Sequence, residues 1–170
     1  KQRDVDTRSR LVREGRLYDG YADEMQHMHQ ENACRLNELI SQHGWPTISL
    51  VGIEGCRAAW LIAQHSICTP ELQRKFLALL TEAAENGEVP KPQVAFLTDR
   101  IRFNENKPQV YGTVLDWDAK GELSCVVEDP PNLSARRREM GLPATEDDDL
   151  AAYRKQVESE GGKPPRNFAE

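Results

Sequence analysis

Three stretches of this chain hold residues whose type and setting suit chemistry. His65 follows Ala58, Leu61 and Ile62 at helical spacing, so the periodicity turns its imidazole inward with an apolar stripe. An imidazole in that position needs its nitrogens hydrogen-bonded or a cavity to line. In a cavity it could exchange a proton near neutral pH. Gln64 adjoins it on the neighbouring face. Asp99 and Arg100 are consecutive in a second helical stretch, about 100° apart around the axis, so one can face the interior edge while the other faces out. Arg100 could hold a carboxylate or phosphate, and Asp99 could orient His65. In the third stretch Gln109, Tyr111 and Thr113 share one face of an extended segment, and Gly112 beside them allows close approach of backbone or ligand.

Other chemistries find little support. His27 and His29 are two residues apart, which on a helix separates them, unlike the i, i+4 pair of a metal-binding helix. No metal site or cofactor is expected. GxSxG, Walker A and GxGxxG sequences are absent, and strands do not alternate with helices as a nucleotide fold requires. Cys34, Cys56, Cys68 and Cys125 match no zinc spacing and read as incidental thiols, with one disulfide as the alternative. Lys plus Arg number 22 against 28 Asp plus Glu, a formal charge of −6. That balance opposes non-specific nucleic-acid binding, which needs a basic face. No apolar run reaches the roughly 18–20 residues of a membrane span.

The elements that must position these residues are mostly helical. Residues 1–16 read as a flexible lead-in, and 17–158 as one helical domain with a β-hairpin at 109–128 and a disordered tail at 159–170. A long helix ends at His43-Gly44-Trp45-Pro46, where Gly44 caps and Pro46 bars continuation. Residues 47–52 read as a connector to a central buried helix from about Glu54 to Ser66. Thr69-Pro70 opens the next helix, with Thr69 as the cap, and Asn86-Gly87 ends it. Pro90 and Pro92 open the helix carrying Asp99 and Arg100, with Val94, Leu97 and Ile101 on its buried side. From Gln109 the period changes to two, and Asp118 to Gly121 reads as the hairpin turn. Ser134 is expected to cap a short basic helix. Thr145 is expected to open a last one in which Leu150, Tyr153 and Val157 face inward.

The segments HGWPTISLVG (43–52), AAWLIAQHS (58–66), VAFLTDR (94–100) and QVYGT (109–113) resemble an uncharacterised bacterial family of unknown function over roughly residues 30–155. The resemblance implies membership and no activity. By that resemblance the family's recurrent polar positions are Trp45, Gln64, His65, Asp99, Arg100, Gln109, Tyr111 and Thr113.

The sequence thus predicts a mainly α domain with a small antiparallel hairpin. The function expected is binding of a small polar or anionic ligand, or a peptide, in a pocket walled by His65, Arg100 and Tyr111. Gln64, Gln109, Thr113 and Trp45 would be ligand contacts. If the pocket is catalytic, His65 moves the proton, Asp99 sets its tautomer and Tyr111 stabilises a developing oxyanion. The alternative is a non-catalytic interaction or scaffold module in which the same residues form a structural network. The N-terminal helix, with Tyr18, Tyr21, Met25 and Met28, would then be the partner or dimer surface. The chain begins at Lys1, so a cytoplasmic location and export after removal of a signal peptide are both open.

Overall fold

Helix stops made of glycine and proline divide the chain much as the sequence suggests. The computed structural model describes residues 2–16, 21–118, 121–145 and 147–160. Leu17, Tyr18, the centre of the Asp118–Gly121 turn, Glu146 and the segment 161–170 lie outside the described residues. Among the described residues are seven α-helices and one two-stranded antiparallel sheet, a mainly α fold. The chain forms two compact units, Lys1–Leu97 and Thr98–Glu170.

The first unit begins with α1 (Gln2–Arg13), in the stretch expected as a lead-in. Apolar periodicity is nearly absent there, yet Leu11 is fully buried, and Arg10 pairs with Glu14 and with Glu24 of the next helix. Helix α2 (Asp23–His43) buries Met28, His29, Ala33, Leu36 and Ile40. Gly44, at φ 77°, stops it and donates its N–H to Ile40 O.

Helix α3 (Ile48–His65) starts earlier than expected. The stretch 47–52 forms a first helical turn, with Thr47 Oγ1 accepting from Leu50 N, and Gly52 (φ 72°, ψ 172°) kinks the chain into the main run. Its buried line is Cys56, Ala59 and Ala63 with Gln64, one position off the predicted stripe, so His65 is half-buried.

Helix α4 (Pro70–Glu85) has Pro70 in its first turn as expected. Thr69, however, donates its hydroxyl to Ser66 O and provides no side-chain cap. Phe76, Leu80, Ala83 and Ala84 fill its inner face. Gln73, on that face too, donates Nε2 to Ala63 O and Gln64 O and so meets carbonyls the end of α3 leaves open.

The division between units falls inside α5 (Lys91–Asn104). In the second unit the antiparallel strands β1 (Asp116–Trp117) and β2 (Leu123–Ser124) pair Asp116 with Ser124 and Trp117 with Leu123. The expected long first strand is only this short. Residues 109–115 form a loop, for a reason given below. Helix α6 (Leu133–Glu139) has Asn132 at its N-terminal boundary without a side-chain cap, and Ser134, the expected cap, lies inside the helix. Helix α7 (Asp147–Ser159) buries Val157 and leaves Tyr153 at the surface. Among the described residues no helix is long and apolar enough to cross a membrane.

Candidate functional site

In the second unit, the loop 109–114 is built around the carboxylate of Asp99, which α5 buries completely. Asp99 accepts from Val110 N (2.8 Å), Tyr111 N (3.1 and 3.2 Å), Thr113 N (2.9 Å) and Thr113 Oγ1 (2.9 Å). Four donors on two oxygens nearly exhaust the carboxylate's lone pairs. Little is left for orienting an imidazole.

Gln109 closes the loop's base, accepting from Val114 N at 2.9 Å and donating to Val114 O at 2.6 Å. Its own backbone bonds Val126 O and Glu128 N. Gly112 turns the loop at φ 65°, so close to its neighbours that a Cβ would meet Val127 Cγ1 at 3.1 Å and Cys125 Sγ at 3.3 Å.

Two arginines take the loop's carbonyls. Arg136 Nε donates to Val110 O (2.9 Å). Arg137 Nη1 donates to Tyr111 O (2.7 Å) and Gly112 O (3.4 Å), and its Nε to Pro143 O (2.7 Å). Arg137 is fully buried. The loop thus lies between an anion on its N–H side and a cation on its carbonyl side. This meets most of the loop's backbone N–H and carbonyl groups, and it is a form in which two buried charges are tolerable. Sequence reading missed Arg137 because it sits in an Arg-Arg-Arg run. The available signal was its i, i+4 spacing from Leu133, which places it on the buried face of α6.

Two predicted residues keep their side-chain functions available. The Tyr111 phenol is half-buried. Burial first, and the Asp99 carboxylate second, push its pKa above the ordinary tyrosine value while Arg136 pulls it down. It therefore remains a neutral hydrogen-bond donor at physiological pH. Arg100, next to Asp99 in α5, is half-buried, and no hydrogen bond or ion pair to its guanidinium forms among the described residues. Burial lowers its pKa, and the phenol of Tyr153 partly offsets this.

In the first unit, His65 meets a partner that sequence reading set aside. Its ring lies 4.7 Å from that of His29, tilted by 35°. His29 is buried, and its Nδ1 is hydrogen-bonded to Tyr21 Oη. His27 is exposed, as its two-residue offset from His29 requires. Gln64 is buried with no hydrogen-bond partner for Nε2 among the described residues. Trp45, also buried, packs against Phe76 at 6.2 Å, and its Nε1 likewise has no such partner. Trp45 also borders a hollow of about 350 Å³ with Glu82, Asn86 and Glu88. Among the described residues no group of three or more His, Cys, Asp or Glu side chains could hold a metal ion.

A family model, described as a family of unknown function, matches residues 15–158. The chain belongs to DUF6624. No curated protein and no solved structure matches it. In this DUF6624 chain, Asp99, Gln109, Tyr111 and Thr113 meet in one loop. His65 meets Tyr21 and His29.

Proposed function

We propose that this DUF6624 protein binds a small anionic ligand, a carboxylate or phosphate, with Arg100 as its anchor. One observation carries the reading: a half-buried guanidinium without an acidic partner among the described residues. Desolvating a charge without a counter-charge is costly. The neighbouring arginines are committed: Arg137 to three carbonyls, Arg136 to carbonyls and Asp129, and Arg102 to Pro108 O and Glu128. Arg100 alone of these four has its fork available for bidentate recognition. Tyr111 supplies a neutral donor in the same unit. Asp99, Gln109 and Thr113 act as positioning residues that fix the loop carrying Tyr111. His65, with His29 and Tyr21, is the group of the first unit suited to proton transfer.

The saturated loop favours a second reading, a non-catalytic scaffold in which the polar network only fixes the fold. Calorimetric titration with phosphate, sulfate and acetate at constant ionic strength separates the two. Under the first reading Arg100→Ala weakens binding tenfold or more, about what loss of a charge-assisted bond costs. Arg100→Lys weakens it less. Arg138→Ala, which removes an exposed guanidinium bonded to Ser134 O, leaves it unchanged. No binding, or equal losses in the Arg100 and Arg138 variants, supports the scaffold.

A further inference from the structure

An anion held by Arg100 meets one positive charge, not two. Arg102, Arg136 and Arg137 are each bonded to carbonyls or carboxylates of the second unit. Burial and the Tyr153 phenol act on the Arg100 guanidinium, and no second cation among the described residues joins them. Doubly charged anions commonly draw further support from backbone N–H groups or a helix N-terminus. Neither is on offer here. The loop 109–114 directs the N–H groups of Val110, Tyr111 and Thr113 at Asp99, the residue next to Arg100. Arg100 itself lies well inside α5, beyond its first two turns. Tyr111 remains a neutral phenol, so it can add a hydrogen bond but no charge.

Keeping a second negative charge in a half-buried setting without a counter-charge is costly. A guanidinium fork meets the two coplanar oxygens of a carboxylate with two parallel hydrogen bonds and neutralises its single charge. We propose, on the reading that Arg100 is the anion anchor, that the group it holds is a monocarboxylate and that dianions are discriminated against. Phosphate enters through its singly charged form.

The test titrates the full chain with the sodium salts of acetate, methyl sulfate and sulfate at neutral pH and constant ionic strength, reading the Arg100 Nε–Hε signal by NMR. Acetate is planar and singly charged, methyl sulfate tetrahedral and singly charged, sulfate tetrahedral and doubly charged. The expected order of affinity is acetate, then methyl sulfate, then sulfate. Sulfate should bind at least about tenfold more weakly than acetate, the size of one unmatched charged hydrogen bond. Arg100→Lys keeps the charge and loses the fork, so it should lower the acetate affinity at least about threefold more than the methyl sulfate affinity. A smaller gap between sulfate and acetate overturns the proposal while leaving Arg100 an anion anchor. So does methyl sulfate binding more tightly than acetate, or an Arg100→Lys variant that loses the two equally. An Arg100 signal that none of the three anions moves rejects the anchor itself, and the proposal with it.

Discussion

Asp99 shows how one side chain can organise many backbone groups. Replacing it with alanine leaves the N–H groups of Val110, Tyr111 and Thr113 without acceptors in a buried setting. Leaving such groups unmet, and losing bonds to a charged acceptor, should cost about 3 kcal/mol or more of stability. Urea unfolding of Asp99→Ala against wild type measures it. A loss below about 1 kcal/mol would mean that the loop is held by other means. Glu88 performs a smaller version of the same task, accepting from Ser49 N (3.0 Å) and Ser49 Oγ (2.7 Å) at the start of α3. These bonds hold its pKa below the ordinary glutamate value of 4.5. Its contribution is therefore complete above pH 4.5 and is lost as pH falls through the lower folded-state value. In Glu88→Gln the acid side of a Tm-against-pH curve should fall less steeply below that point. An unchanged slope would assign the acid sensitivity elsewhere.

Among the elements, two glycines mark where sequence periodicity misleads. Gly52 holds a backbone conformation open almost only to glycine, yet a Cβ there would touch nothing within 4 Å. Gly52→Ala should therefore cost backbone strain alone, about 2 kcal/mol. Gly112→Ala adds a collision with Val127 and Cys125 to a similar backbone penalty, so it should cost more, about 3 kcal/mol or above. Chemical denaturation of both variants tests the order, and the reverse order would contradict the close packing of the loop. The helices were legible because proline and glycine punctuate them: Gly44 and Pro46, Pro70, Gly87 and Pro92 lie where helices stop or start. The first turn of α3 was not, because it is a single turn separated by Gly52 from its own helix. The long first strand was misread for a physical reason. Gln109, Tyr111 and Thr113 alternate, but the N–H groups of Tyr111 and Thr113 go to Asp99, and the Gln109 side chain pairs with Val114, so no partner strand is needed. Arg137 was hidden by its two charged neighbours.

At the scale of the whole molecule, the chain carries a net charge of −6, and the anion anchor proposed for it is a single arginine in its second unit. An acidic protein gains no general attraction for anions from its field. Specific anion binding must then come from local geometry, and of Arg100, Arg102, Arg136 and Arg137 it is Arg100 that has no acidic or carbonyl partner among the described residues. The most direct measurement follows the arginine Nε–Hε signals by NMR while phosphate is added at constant ionic strength. The account predicts that the Arg100 signal moves saturably and its proton exchanges more slowly, while the signals of Arg136 and Arg137, held by the loop carbonyls, stay in place. An Arg100 signal that does not respond to phosphate or acetate would contradict it.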